Sequence, residues 1–251
     1  MALEIHQFDY DRDNYGVLIH DEAHGETAMV DAGDADAARA ALASTGWPLT
    51  QIWITHHHGD HVAGLQDIVT TTGAAVHGPA GIDGVDHAVT DGDVIDFAGR
   101  QVAVIATPGH TLDMLNFHIA SDKLVFTGDT LFAMGCGRVF EGDADMMWKS
   151  LTRLMALSDD TIVYCGHEYT AANAAFALSV DPDNMALRRR AEAVADLRAA
   201  GQPTVPTIMA LEMETNPFLR AGDSAIRANL GMSSASDAEV FAEIRRRKDN
   251  F

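Results

Sequence analysis

Ile52-Trp53-Ile54-Thr55-His56-His57-His58-Gly59-Asp60-His61 is the stretch on which the reading of this chain turns. An apolar run leads directly into four imidazoles and one carboxylate. Neutral imidazole and carboxylate are the ligand types that zinc, iron and manganese accept. If the backbone leaves the apolar strand still extended, His56 and His58 point to one side and His57 to the other, because side chains alternate with period two. Asp60 and His61 then fall at the start of a following helix, on a second wall of the same pocket. The tract by itself leaves a second reading open: a polar, His-rich loop that caps a strand and binds nothing, or binds metal only adventitiously.

The 251 residues suffice for one large domain, or for a core domain with a smaller appendage, and 47% hydrophobic content supports a sizeable buried core. No stretch approaches the ~20 consecutive apolar residues of a membrane span, and no cleavable leader is apparent, so a soluble, cytoplasmic protein is expected. The net charge of −20, from 37 acidic and 17 basic residues, argues against nucleic-acid phosphates or an anionic membrane as partners. Basic residues gather late in the chain, at Arg188-Arg189-Arg190 and Arg245-Arg246-Arg247-Lys248, which matters if the substrate is an anion. Cys136 and Cys165 lack CxxC spacing and fit free thiols in a reducing compartment.

Working outward, Leu3 to Phe8, Tyr15 to His20 and Thr27 to Asp31 read as strands, and Asp34 to Ser44 as a helix. Gln51 to Thr55 is the strand that delivers the His tract. A helix over 61–71 and a strand Ala74 to His77 follow. Val94 to Phe97 with Gln101 to Thr107, and Leu115 to Ile119 with Lys123 to Thr127, read as hairpins. Asp143 to Leu157 has the apolar period of a half-buried helix, its methionines belonging to the core, and Thr161 to Cys165 is one more strand. Beyond it the texture turns helical, at Tyr169 to Val180, Asp183 to Ala200 and Asp237 to Lys248, while 202–218 lacks a strong period. Strands interleaved with helices suit two sheets covered by helices, and a domain boundary is expected near residue 168.

Three later segments repeat the context of the first: an apolar strand, then a small loop with one metal-competent side chain preceded by glycine. They end in Gly109-His110, Gly128-Asp129 and Gly166-His167. One such His alone is more often structural. Three of the kind after an HxHxDH tract point to a shared site.

With these motifs the sequence resembles the metallo-β-lactamase superfamily, and within it the hydroxyacylglutathione hydrolases, or glyoxalase II. The HxHxDH tract with His110, Asp129 and His167 carries the superfamily. The narrower resemblance rests on Asp129-Thr130-Leu131-Phe132, Gly135-Cys136-Gly137-Arg138, Phe140-Glu141-Gly142, Cys165-Gly166-His167-Glu168-Tyr169-Thr170, Asn216-Pro217-Phe218 and Lys248-Asp249-Asn250-Phe251. It implies an α/β chain: an αββα sandwich of the metallo-β-lactamase type over 1–168 and a small helical substrate-binding domain over 169–251.

The resemblance implies two divalent metal ions, zinc first, with iron or manganese as alternatives. His56, His58 and His110 would hold one ion, Asp60, His61 and His167 the other, and Asp129 would bridge them. The nucleophile would be a metal-bridging hydroxide, with no catalytic side chain beyond an orienting role for Asp60. Arg138, Phe140 and Tyr169 would line the substrate site, and Arg245 with Lys248 would meet the glycine carboxylate of glutathione. A plainer reading makes 245–248 a helix end whose charges complement its dipole. The implied reaction is hydrolysis of an S-2-hydroxyacylglutathione thioester of the S-D-lactoylglutathione type to glutathione and a 2-hydroxy acid, in methylglyoxal detoxification, by a monomer. The alternatives are a mononuclear iron persulfide dioxygenase and another hydrolase of the fold, such as a lactonase.

Ala63 and Asp113-Met114 depart from the family pattern at positions that supply no ligand. His57 is expected to face away from the metals, and Asp31, at a strand end, is placed to support a ligand histidine or to serve as an ordinary turn carboxylate. Phe176 reads as helical core.

Overall fold

The computed structural model describes residues 2–251, which divide into two compact units: 2–106 with Asp113–Gly128, and Thr107–Leu112 with Asp129–Phe251.

In the first unit, β1 (Glu4–Tyr10), β2 (Asn14–Asp21) and β3 (Glu26–Val30) form an antiparallel meander. Helix α1 (Ala35–Thr45) follows, started by the Asp34 carboxylate, which accepts from the Asp36 and Ala37 N–H groups. Then come β4 (Gln51–Trp53), α2 (Gly59–Val62), α3 (Leu65–Thr72), β5 (Ala75–Gly78) and the two-residue β6 (His87–Ala88). Strands β3 to β6 pair in parallel, so the sheet order is β1-β2-β3-β4-β5-β6. The four remaining strands, β7 (Val94–Phe97), β8 (Arg100–Ala106), β9 (Leu115–Ile119) and β10 (Leu124–Gly128), pair antiparallel in sequence order.

Period-two alternation along the strand that ends in the His tract builds both faces of this unit. Ile52 and Ile54 join Leu18, Met29 and Val76 in a buried cluster with Ala38 and Ala41 of α1 and Leu65 and Ile68 of α3. Trp53, fully buried, turns the other way and meets Phe97, Phe117 and Phe126 at ring-centroid distances of 5.4, 5.7 and 6.2 Å. Helices therefore cover one face of the first sheet and the antiparallel strands cover the other. The helix expected over 61–71 is interrupted: the Gly64 N–H leaves the helical ladder to donate to the Ala32 carbonyl at 2.8 Å, which ties the turn between α2 and α3 to the end of β3.

The second unit contains the hairpin β11 (Leu131–Phe132) and β12 (Gly135–Cys136), helix α4 (Ala144–Met155), β13 (Ile162–Cys165) and α5 (Thr170–Val180). Helix α6 (Met185–Ala199), β14 (Thr207–Ile208), which pairs antiparallel with β13, and helices α7 (Met209–Thr215), α8 (Ser224–Leu230) and α9 (Asp237–Asp249) complete it. Its interior is partly aromatic: Phe218 lies between Phe176 and Phe241, and Phe241 packs on Trp148 of α4. It also holds a buried ion pair, Arg190 with Glu212. Thr207 and Thr215 hydroxyls complete the Arg190 shell at 2.9 and 2.6 Å, which offsets the cost of burying the charges. Among the described residues no helix is long and apolar enough to cross a membrane.

Trp53→Ala removes the side chain common to three aromatic contacts and should lower unfolding free energy by ~3–5 kcal/mol in a denaturant melt. A loss below ~1 kcal/mol would show that the two layers do not depend on it.

Candidate metal centre

The Asp31 carboxylate organises the histidine tract of the first unit. It accepts the Thr55 N–H at 2.8 Å, the Thr55 hydroxyl at 2.9 Å and the His61 Nδ1–H at 2.8 Å, and it is buried. Asp31 sits at φ 59°, a left-handed conformation that aspartate tolerates better than most residues. Because an ionised carboxylate only accepts, His61 must carry its hydrogen on Nδ1, which in the neutral ring leaves the Nε2 lone pair for a ligand. The same logic passes through Thr55. Its hydroxyl hydrogen goes to Asp31, so its oxygen accepts from His56 Nδ1–H at 2.9 Å, and the hydrogen of a neutral His56 is likewise on Nδ1, with Nε2 an acceptor. His56 Nε2 and His58 Nδ1 lie 3.1 Å apart, and the His56 and His61 rings are 4.2 Å apart. Asp60, on α2, has its carboxylate 3.5 Å from His61 Nε2, held by Asn14 Nδ2 at 3.0 Å, while the Tyr10 hydroxyl donates to the Asp60 carbonyl at 2.8 Å. His57 turns outward, with Nδ1 3.0 Å from the Asp113 carboxylate.

His110, Asp129 and His167 meet in the second unit. Asp129 Oδ2 lies 3.4 Å from His110 Nε2 and 3.3 Å from His167 Nε2. His110 Nδ1 donates to the Arg138 carbonyl at 2.9 Å, an obligate acceptor that keeps the ring hydrogen on Nδ1. His167 stacks on Tyr169 with ring planes 3° apart and centroids 4.7 Å apart, and Phe132 meets the edges of both rings. Gly128, just before Asp129, has φ 46°, and a Cβ there would come within 2.7 Å of Thr55 Oγ1. Only glycine suits that step.

In each unit, histidines with the hydrogen fixed on Nδ1 (His56 and His61 in the first, His110 in the second) lie beside a carboxylate, donor chemistry that fits divalent cations rather than anions or an apolar ligand. The cysteines stand apart from this chemistry. Burial pushes the Cys136 thiol up to about 11 and the Cys165 thiol up to about 12, so neither is poised as a thiolate nucleophile at neutral pH.

The substrate residues expected from the sequence occupy different environments. Arg138 is exposed on the surface, Phe140 is 63% exposed with its ring 5.3 Å from that of His110, and Tyr169 is 37% exposed. The four cations of α9 separate. Arg246 and Arg247 both bind Glu243 on their own helix, drawing its carboxyl down to about 2. Lys248 is half-buried, donates to the Ala172 carbonyl at 3.1 Å and lies over the Phe176 and Phe251 rings. Burial, and then the positive charges of Arg245 and Arg138, hold the Lys248 ammonium below the ordinary lysine range. Arg245 is buried, and its guanidinium is directed at the Cys136 and Gly137 carbonyls rather than at open solvent.

Two family models divide the chain, the metallo-beta-lactamase superfamily over residues 12–167 and the hydroxyacylglutathione hydrolase C-terminus over residues 168–251. The hydroxyacylglutathione hydrolase of Rhizobium meliloti (strain 1021) is 56% identical over 254 residues, covering 100% of this chain and 99% of that protein. This chain belongs to the hydroxyacylglutathione hydrolase family, within the metallo-beta-lactamase superfamily. The protein of the same name from Maricaulis maris (strain MCS10) is 53% identical, with 99% of each chain covered. The crystal structure of ETHE1 from Myxococcus xanthus superposes with a TM-score of 0.70 at 28% identity, covering 98% of this chain and 90% of that one. Family membership makes the chain α/β with the metallo-β-lactamase fold, as expected from its motifs, and leaves the persulfide dioxygenase alternative less supported.

Asp31→Asn keeps the backbone conformation but places an amide where three donors converge. Divalent-metal affinity should fall roughly 10- to 100-fold in a competitive chelator titration, with the fold retained by circular dichroism. Unchanged affinity would mean that Asp31 is a turn residue only.

Proposed function

We propose that the chain hydrolyses S-2-hydroxyacylglutathione thioesters of the S-D-lactoylglutathione type to glutathione and a 2-hydroxy acid, a step in methylglyoxal detoxification, using two divalent ions. In this reading His56, His58 and His110 would hold one ion, Asp60, His61 and His167 the other, and Asp129 would serve both. Zinc is the leading candidate, because imidazole and carboxylate suit it, and iron or manganese would be accepted by the same donors. The observation that carries the reading is the full-length relation to hydroxyacylglutathione hydrolases, in a chain where His61, His56 and His110 keep their hydrogens on Nδ1.

When bound, such ions supply a water nucleophile acidified towards neutral pH and Lewis-acid polarisation of the carbonyl. The chain's own residues do the rest. Asp31 and Thr55 keep the hydrogens of His61 and His56 on Nδ1, and the Arg138 carbonyl does the same for His110. Asn14 fixes the Asp60 carboxylate, which orients the nucleophile without taking a proton from it. No side chain is assigned as general acid, since a thiolate of ordinary pKa, about 8.5, departs without one. Residues 169–251 act as the substrate-binding domain. Phe140 and Tyr169 form the apolar wall, and Arg138 with Lys248 supplies positive charge for a glutathione carboxylate. A cationic neighbourhood that already disfavours protonated Lys248 is relieved by an anionic ligand. A monomer acting in the cytoplasm completes the proposal, in keeping with two buried free cysteines.

Metal-loaded protein should hydrolyse S-D-lactoylglutathione and lose that activity on chelation. Zinc-replete protein inert towards this thioester would refute the substrate reading.

Lys248→Ala should raise KM roughly tenfold with kcat and metal content little changed. The expected pH dependence follows from the lowered pKa: the anion binds the protonated lysine, so inhibition by glutathione should weaken as pH rises through the Lys248 pKa, below the ordinary lysine range. The variant should lack this dependence. A slope that persists in Lys248→Ala would assign it to another group.

A further inference from the structure

Between His167, a proposed ligand, and Tyr169, a proposed wall of the substrate site, stands Glu168, whose side chain is only 7% exposed. Both oxygens of its carboxylate are engaged. Oε2 accepts the Thr204 N–H at 2.8 Å, and Oε1 accepts the Thr204 hydroxyl at 2.6 Å. The Thr170 N–H, at the start of α5, makes a longer contact of 3.4 Å with Oε1, and Arg198 Nη1 lies 3.5 Å from Oε2. With the Thr204 hydroxyl hydrogen on the carboxylate, the Thr170 hydroxyl, 2.5 Å away, is the donor to Thr204. Thr204 belongs to the segment between α6 and β14, which Arg198 of α6 steadies by donating to the Gln202 carbonyl at 2.8 Å.

The residues on either side of Glu168 move as one body. The His167 and Tyr169 rings are parallel within 3° with centroids 4.7 Å apart, and the Phe132 ring meets the two at 5.8 and 5.3 Å, nearly perpendicular to both. The lone pair of a ring nitrogen lies in the plane of its ring, so the orientation shared with Tyr169 is the one in which His167 Nε2 can meet an ion. That nitrogen is 3.3 Å from Asp129 Oδ2. A shift of the 167–169 backbone therefore tilts the donor plane and displaces the aromatic wall together.

A carboxylate beside the first turn of a helix also complements the helix dipole. That role needs no bond to Thr204. Two charge-assisted bonds to one residue 36 positions away give the Glu168 side chain a fixed direction instead. His167 lies in a β-bridge, and successive side chains leave such backbone on opposite sides, so a Glu168 tied to Thr204 sets the side from which its two neighbours rise.

We infer that Glu168 is a positioning residue for His167 and Tyr169, holding the backbone between them through Thr204 so that metal donor and substrate wall keep one orientation. The inference rests on the ligand and substrate reading proposed above.

The test is a cycle of Glu168→Ala, Thr204→Val and the double variant, with Glu168→Gln as the conservative change. Thr204→Val keeps the N–H and the side-chain volume, removes one bond to Glu168 and lies far along the chain from every proposed ligand. Folding is checked by circular dichroism, apo-proteins are titrated with zinc against a chromophoric chelator, and glutathione affinity of the loaded proteins is measured by calorimetry. Glu168→Ala should bind one zinc equivalent about tenfold or more weakly. Its glutathione affinity should fall about threefold or more. Thr204→Val should shift both in the same direction by smaller factors, and Glu168→Gln, which keeps one acceptor oxygen, should recover part of each loss. The double variant should bind zinc no more weakly than Glu168→Ala, because Thr204 acts through the carboxylate. Unchanged zinc affinity in folded Glu168→Ala overturns the inference, whatever its thermal stability, and so do additive losses in the double variant. A zinc loss with unchanged glutathione affinity overturns the claim that both rings are held together. If Glu168→Ala does not fold, Thr204→Val decides, and unchanged zinc affinity there overturns the inference. Wild-type protein that binds zinc but hydrolyses no S-D-lactoylglutathione refutes the substrate reading alone, whereas failure to bind zinc refutes the ligand assignment itself.

Discussion

One buried carboxylate sets the order of the first unit. Asp31 stops β3 in a left-handed turn and takes the Thr55 N–H, the Thr55 hydroxyl and the His61 Nδ1–H, so the ends of two neighbouring strands and helix α2 are registered on two oxygens. The Asp31 carboxylate accepts all three bonds and donates none. Its acceptor-only role fixes the direction of each hydrogen bond outward from it and keeps the hydrogens of His61 and His56 on Nδ1. Trp53, two residues before Thr55, anchors the same strand between its two neighbouring layers. Packing thus locates the strand end, and electrostatics decides what its side chains can bind.

The second unit solves a related problem with different means. Asp129, His110 and His167 lie on loops that lack a shared strand, so their geometry depends on how those loops are held. The hairpin after Asp129 is too short to hold itself, with strands of two residues each. Side chains from α5, α7 and α9 satisfy its backbone instead, and the Arg190 and Glu212 pair fixes one of those side chains from below. A buried ion pair contributes little net stability, but it does constrain geometry. The helical segment therefore has a reason to be present apart from substrate contact.

Much of this was legible in the sequence where the signal is local. The alternation through Ile52, Trp53 and Ile54 and the density of His56 to His61 sit in ten consecutive residues. His110, Asp129 and His167 were readable because each follows an apolar strand and a glycine. Asp31 could be noticed at its strand end, but its three donors come from residues 24 and 30 positions later. Asn14 and Tyr10, which steady Asp60, lie 46 and 50 positions away and carry no motif. The short elements β6, β11, β12, β14, α7 and α8 are too brief to show a period. Arg245 illustrates the limit best. In the sequence it is one cation among four at a helix end, and only its burial against a carbonyl 109 residues away separates it from Arg246 and Arg247, which bind Glu243, and from Lys248.

The central claim is that histidines and carboxylates from separate parts of the chain hold two divalent ions with Asp129 common to both. Anomalous diffraction from crystals of zinc-loaded protein tests it most directly. Two full peaks about 3.5–4 Å apart should be found, one beside His56, His58 and His110 and the other beside Asp60, His61 and His167, with the Asp129 carboxylate touching both. A single peak, or ions bound only at outward-facing groups such as His57 and Asp113, would contradict it.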